Sequence, residues 1–575
     1  MPLNPVSGTL GPVRARHLLR RLTFGPNQQQ IDAFAGLSVN AALSRLFDNL
    51  AAPPPPVLPE GDAPAVPPNY AWTNKAPMEG ERDFVFMGAF MNWWLGAMYH
   101  DNTALEKLVF FLHTIITNKD QVGGGTRDMY WQNVLFRTYL ANDLSGTNPR
   151  FNRYPQFIKK VIADSSMLSF LDGKINVKGR PNENFAREMF ELFTISKGEQ
   201  RGPGDYTTFT EDDIKSAAKV LTGWAEIDWG KPEAFTPDPD TGLPTGKPRQ
   251  FEGTATAHDN TVKTFSSVFG GATVTPAANP PTPASMADEV GQLVDMIYAQ
   301  QAAARYVCRR IHRFFVHWHI TDAVENEVIT PMAQTFIGSG FRLRPVLEEL
   351  FGSEYFYEAA TGINDDKPGC IIKSPLELTM GTMRYFNVAV APVNTQELHN
   401  QMGNIRGIMT EMGLPLLDPY DVAGYEAYHQ APGYNRNWIT TNTLAKRYEF
   451  INKLFNEMNG WGFSVDLLAW ANSPQSGITN ALATAPVTVG SKTYALDLIK
   501  HVADRMLPYS SLGNEITQER YNYFAEYHLG GLEFANWVFN WNNRNGGSMD
   551  IKADATARLK NLYNTVMQSP EYQLF

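Results

Sequence analysis

At 575 residues the chain is long enough for about two to four core units, and its 43% hydrophobic and 19% charged residues fit a globular protein and exclude a disordered one. A formal net charge of −10 argues against a nonspecific nucleic-acid binder, which needs a basic surface to displace counterions. Two cysteines, Cys308 and Cys370, exclude a disulfide scaffold and a four-cysteine zinc site.

The first residues, Met1 to Gly8, lack a charged region followed by an apolar run, so no secretory signal is visible. Val13 to Leu22 reads as a basic amphipathic helix ended by Phe24-Gly25-Pro26, and a second helix is expected from Gln28 to about Asn49. Residues 51–77, with four consecutive prolines from Pro53 to Pro56, form a stiff linker that is expected to wrap the helical body. Four apolar-periodic runs follow, Phe84–His100, Ala104–Ile116, Arg127–Leu140 and Pro155–Met167. The most apolar of them is shorter than the ~18 residues a membrane span needs, so it is an aromatic core helix and the chain reads as soluble. That places it in the cytoplasm by default and leaves a periplasmic or secreted location open.

The next helix, about Glu183 to Ile195, is the most informative segment. Glu183, Arg187 and Glu191 recur every four residues, which puts them on one helical face with Glu188 one step off it. This is a surface ladder of ion pairs, or a polar cleft whose carboxylates act as general base or ligand. Thr210 with Asp213 three residues on predicts a capping box and a helix ending near Gly223, just before Trp224. Residues 225–283 lose helical periodicity and read as an irregular insertion with a few short strands. Within it, Asp238, Asp240 and Gly242 resemble the start of a calcium loop but lack its closing Glu, so they predict a turn. His258-Asp259, followed by Lys263, either fixes a turn or shuttles protons from a loop. Helices resume over 284–575, at Ser285–Gln301, Ala303–Val316, Asp322–Ile337, Leu343–Leu350, Ser374–Phe386, Gln396–Met412, Trp438–Asn456, Ala495–Met506, Gln518–Tyr527 and Asp554–Gln568. The fold class is mainly α, a large multi-helix globular assembly. It divides into N-terminal helices (1–50), the linker, a first core half (78–224), the insertion and a second core half.

Two further features bear on chemistry. His113, on an apolar helix, reads as a core histidine, and the His317-Trp318-His319 pair has no third metal ligand near it. The loop from Asp418 to Trp438 carries Tyr428, His429 and Arg436 among Gly and Pro, which suits either a sugar- or peptide-binding wall or a loop pinned to the core. No Walker loop, nucleophile elbow, zincin helix or Rossmann fingerprint occurs. No cofactor is therefore expected, and a divalent metal would find no supporting ligand spacing.

Eight blocks in order make the chain similar to one family. They are His17–Pro26, Glu183–Thr194, Thr210–Trp224, His258–Thr264, Arg309–Val316, Lys373–Leu378, Asp418–Trp438 and Ser569–Leu574. Together they resemble the bacterial domain of unknown function 1800 family, in a Bacteroidetes-type form. The resemblance implies a large helical bacterial protein, often encoded beside a hydrolase-like protein of the domain of unknown function 1501 family. That neighbour is the implied partner at the cell envelope; no nucleic acid is implied, and oligomeric state is left open. Many relatives carry a His-x-His where this chain has His113-Thr114-Ile115, and a His where it has Phe193. Neither Ile nor Phe can replace imidazole as ligand or base. Two readings stand. One is a helical scaffold or interaction protein that uses the 418–438 loop and the proline-rich 51–77 segment. The other is a hydrolase-like enzyme, with Glu188, His258 and Asp259 moving protons in a cleft bounded by Glu183, Arg187 and Glu191.

Overall fold

The computed structural model describes residues 3–62, 66–120, 122–231, 236–251, 254–358, 371–456, 463–508 and 516–575. Cys370 lies outside them; Cys308 is a buried free thiol. More than half of the chain is helical, and the described strands form only four two-stranded antiparallel sheets. The chain is thus mainly α.

The helix Asp83–His100 is apolar on nearly every side, and twelve consecutive or near-consecutive positions from Phe86 to Met98 are buried. A helix with no polar face must sit centrally. It packs against the helices Gln396–Glu411 and Thr126–Ser145. Its Trp94 indole is satisfied inside the core. Trp94 Nε1 donates to Glu106 Oε2 at 2.9 Å, and Arg137 grips the same carboxylate through two bonds of 2.8 Å. One contiguous cluster of buried apolar side chains runs from Leu10 to Tyr572. No helix among the described residues is long and apolar enough to cross a membrane.

The proline-rich segment is held down through its carbonyls, since a backbone without secondary structure needs side-chain donors. Trp93 Nε1 donates to Pro54 O at 2.8 Å, Asn394 Nδ2 to Pro55 O at 2.9 Å, and Trp131 Nε1 to Thr73 O at 2.8 Å. Trp72 is fully buried.

Differences from the expected elements have local causes. The second helix is two, Gln28–Ala35 and Val39–Phe47, because Gly36 ends the first and Ser38 caps the next. The stretch from Asp322 contains a π-helical turn at Glu325–Ile329 before Thr330–Gly338. Pro331 has no N–H to complete an α-helical ladder there. An unpredicted helix, Phe534–Asn543, is anchored by buried Trp537 and Trp541 one turn apart. In the insertion, Trp224–Ala225 pairs with Lys247–Pro248, and Lys263–Thr264 with Thr273–Val274.

Candidate functional site

The signature helix is α-helical from Glu183 to Glu188 and π-helical from Met189 to Thr194. The wider turn changes the expected face. Arg187 lies 3.5 Å from Glu183 in the i,i+4 register and binds Glu211 through contacts of 2.6 and 3.1 Å. Glu191, displaced by the extra residue of the π turn, pairs with Lys197 at 2.7 Å instead. All of these groups are partly exposed. Glu188 is half-buried, and burial raises its pKa, helped by the charges of Glu191 and Asp421. Asp421 belongs to the 418–438 loop, so the signature helix borders that loop. Phe193 is buried against Phe185.

His258 and Lys263 sit elsewhere, in a closed node. His258 Nε2 lies 3.0 Å from Glu289 Oε1, its Nδ1 lies 2.9 Å from the Thr222 carbonyl, and Lys263 Nζ pairs with Glu289 Oε2. All three side chains are fully buried. Both imidazole nitrogens are engaged and out of water, so this histidine fastens the insertion to the helix Pro283–Tyr298. Gly223 permits the approach: its φ is +87°, and an added Cβ would lie 3.0 Å from the His258 nitrogen. Asp259 accepts from Thr261 N at 3.0 Å and from Thr261 Oγ1 at 2.6 Å, the Asx-turn geometry. Burial pushes its carboxyl up, but those two bonds outweigh it and hold the pKa low. Trp224 is buried beside this node in its short strand. Asp238 also forms a turn, accepting from Asp240 N and Thr241 N at 3.1 and 3.0 Å. The Lys160 ammonium, 2.7 Å from Asp238 and 2.8 Å from Asp240, holds the turn.

The Asp418–Trp438 loop forms one wall of a narrow cleft with a cavity volume of about 20 Å³. It is pinned from below: Tyr425 Oη accepts from Leu417 N at 3.0 Å, and Gly424, at φ +100°, runs so close to Thr117 that a Cβ would fall 2.6 Å from its hydroxyl. Tyr428 stacks on Phe314 at 5.3 Å and meets Trp438 edge-on at 5.7 Å. Burial and then the Glu377 charge hold its phenol well above the ordinary range. His429 lies 3.5 Å from Asp421; burial lowers its pKa, with Arg310 acting the same way and Asp421 against it.

The facing wall is the helix Gln301–Phe315, which brings Arg310, Arg313 and Phe314 to the cleft lining, with Arg309 next to them in sequence but outside it. Arg309 is neutralised by Glu325 through bonds of 2.7 and 2.8 Å. Arg310 donates to the Thr114 carbonyl at 2.6 Å, and Arg313 lies 5.2 Å from the Tyr434 ring centroid. Neither Arg310 nor Arg313 has a carboxylate partner among the described residues. Trp318 stacks on Tyr434 at 5.9 Å, and Arg436 lies over Trp318 at 4.5 Å. The mouth of the cleft is thus a stack in the order Arg313, Tyr434, Trp318, Arg436. Each cation–π contact there is worth roughly 0.5–2 kcal/mol.

Two donors on residues that line this cleft are left over. Arg313 Nε and Asn435 Nδ2 are buried without a hydrogen-bond partner among the described residues. Asn435 is only 6% exposed. The lining acid, Glu377, is occupied: it pairs with Lys107 and accepts from Ser374 N at 2.8 Å. Burial lowers the Arg313 pKa, and Arg310 and Arg309 add repulsion. The arrangement suits a ligand that offers negative charge and acceptors to the arginines and an apolar or ring surface to the aromatic wall.

The sequence singled out Tyr428, His429, Arg436 and Trp438 but not Arg310, Arg313, Trp318, Tyr434 or Asn435. Four arginines, Arg305, Arg309, Arg310 and Arg313, on one amphipathic helix were the available signal. His113 is buried among Trp94, Phe110 and Tyr425 rings, and burial lowers its pKa to about 4. Among the described residues no group of three or more His, Cys, Asp or Glu is placed to hold a metal.

No curated protein and no solved structure matches the chain. A family described as protein of unknown function (DUF1800) matches residues 17–574, so nearly the whole chain is covered, and the protein belongs to that family.

Proposed function

We propose that the protein is a helical interaction protein whose recognition surface is the arginine–aromatic cleft behind the 418–438 loop. The occupant is an acidic peptide segment of a cell-envelope or secreted partner, carrying a carboxylate beside a ring or apolar side chain. One observation carries this reading. Arg310 and Arg313 line the cleft without a carboxylate partner, while buried donors on Arg313 and Asn435 stand unpaired. Buried polar groups are ordinarily satisfied, and unsatisfied donors cost about 1–3 kcal/mol each, a cost that a bound acceptor removes. The hydrolase-like protein of the domain of unknown function 1501 family, suggested by the resemblance, is the candidate partner.

The test is calorimetric titration with a glutamate–tyrosine copolymer as probe. Binding is expected to weaken about 10–100-fold in Arg313→Gln, the loss of one or two charge-assisted bonds. Unchanged affinity in that variant, or no binding by the parent protein, would overturn the reading.

A second, hydrolytic reading is favoured by the placement of Glu188. Its carboxyl, raised by burial, feels Asp421, which in turn partners His429. An enzyme built here would use Glu188 and His429 rather than His258. It predicts that Glu188→Gln abolishes turnover of a cleavable partner while leaving copolymer affinity within about twofold.

A further inference from the structure

A second cavity, of about 40 Å³, lies on the other side of the Lys107–Glu377 ion pair. It is enclosed by the helix Gly11–Leu22, the helix Pro375–Tyr385, the C-terminal end of the helix Leu496–Met506 and the turn Pro570–Gln573. Its charged lining is Arg16, Arg20, Lys373, Arg505 and Glu377. Glu377 is already committed to Lys107 and to Ser374 N. The remaining four groups are basic side chains, and burial with the charges of Arg20 and Arg447 lowers the Lys373 pKa well below its ordinary value.

Part of this has a plain structural use. Arg20 donates to the carbonyls of Arg505, Met506 and Leu507 at 3.0, 2.9 and 3.3 Å, and Arg16 donates to the Asp504 carbonyl. Guanidinium groups at a helix C-terminus complement its carbonyls and dipole. That role leaves three facts unexplained. Arg505, from the same helix end, turns back to the Ser476 carbonyl and keeps its charge beside the other two. Lys373 closes the opposite side, 2.6 Å from the Tyr572 carbonyl. The Tyr385 hydroxyl is within the fields of Arg505, Arg16 and Arg20 at once. Asp504 and Asp32 act on Arg16 as counter-charges from outside the cavity lining, with Asp504 bonded to Tyr521 at 2.8 Å and Asp32 to Gln28 at 2.7 Å. Burial, joined by the charges of Arg16 and Arg21 and opposed by Tyr572 and Tyr385, lowers the Arg20 pKa to about 9. Arg16 Nε is buried without a partner. Like charges gathered at one cavity repel unless a counter-charge occupies it.

We propose that this cavity binds a multiply charged oxyanion, inorganic phosphate or the phosphate ester of a small molecule, held by Arg16, Arg20, Arg505 and Lys373, with the Tyr385 hydroxyl donating to it. Four basic groups favour a multiply charged anion over a single carboxylate. The proposal is independent of the loop cleft.

The experiment is thermal unfolding of the full chain with inorganic phosphate and, separately, glycerol 3-phosphate, against chloride at matched ionic strength. Inorganic phosphate or the ester is expected to raise Tm by several degrees, saturably. Arg16→Gln is expected to remove the shift, and Tyr385→Phe, which deletes one hydroxyl, to raise the half-saturating concentration about tenfold. If Arg16→Gln does not fold, Tyr385→Phe decides. A larger response to the ester assigns the ester, and an equal one assigns phosphate itself. A shift no larger than that of chloride, or one unchanged in the variant that folds, overturns the proposal. Arg313→Gln should leave it intact.

Discussion

The His258–Glu289–Lys263 node and the arginine–aromatic cleft are built from similar residue types and reach opposite electrostatic outcomes. In the node one carboxylate serves a lysine and a histidine, every ring nitrogen is bonded, and the three side chains are sealed from water. In the cleft, arginines face aromatic rings and backbone, with buried donors left unpaired among the described residues. The lesson is that pairing, rather than the presence of His, Glu or Arg, separates a structural fastener from a recognition surface. A buried pair that is broken leaves an uncompensated charge, whereas an unpaired cation that is removed leaves none.

The largest expected effect breaks the node. Lys263→Met leaves Glu289 buried against His258 alone, and chemical denaturation should show a loss of about 3–5 kcal/mol. A loss under about 1 kcal/mol would mean that the node is not the fastener described.

The next effect concerns pH. Burial lowers the His528 pKa to about 3, and Arg558 adds to it. Its folded value lies below its unfolded one, so the unfolded chain takes up the proton first. Stability from this group is complete above about pH 6.5 and is lost as pH falls toward 3, by on the order of 1.4 kcal/mol per unit. Buried Asp164, raised to about 7 by burial, has the opposite sign: its folded state holds the proton longer, and stability falls as pH rises from about 4 to 7. Comparing the parent with His528→Phe isolates the histidine, since other groups cancel. The variant should show a shallower loss between pH 6.5 and 3; parallel curves would contradict the assignment.

The smallest effect belongs to the signature helix. Arg187 is partly exposed and shares Glu211 and Glu183, so Arg187→Ala should cost less than about 1 kcal/mol in the same denaturation assay. A loss comparable to Lys263→Met would place this helix with the node.

Much of the fold was legible because its signals are local. The Thr210–Asp213 capping box forms as read, with Asp213 Oδ2 accepting from Thr210 N at 2.8 Å. The Asp238 turn and the apolar helix at Phe84–His100 follow from turn chemistry and periodicity alike. The helix Phe534–Asn543 escaped because its Asn-rich, aromatic sequence is a poor helix former, and its stability comes from tertiary anchors such as Trp537 Nε1 to Ala483 O at 2.7 Å. The π turn in the signature helix depends on its surroundings too: Tyr306, over a hundred residues away, donates to the Leu192 carbonyl. The site was half visible. Tyr428, Arg436 and Trp438 stand together in one loop, but Arg313 meets Tyr434 only through folding, and no spacing rule connects residues so far apart in the chain.

The central claim is that the cleft arginines are kept for a ligand rather than for the fold. Its most direct measurement is the unfolding free energy of Arg313→Gln beside that of the parent protein, both without ligand. The account predicts a difference within about 1 kcal/mol, because the residue gives up little more than one cation–π contact. A loss of about 3 kcal/mol or more, the size expected for a broken buried pair, would contradict it.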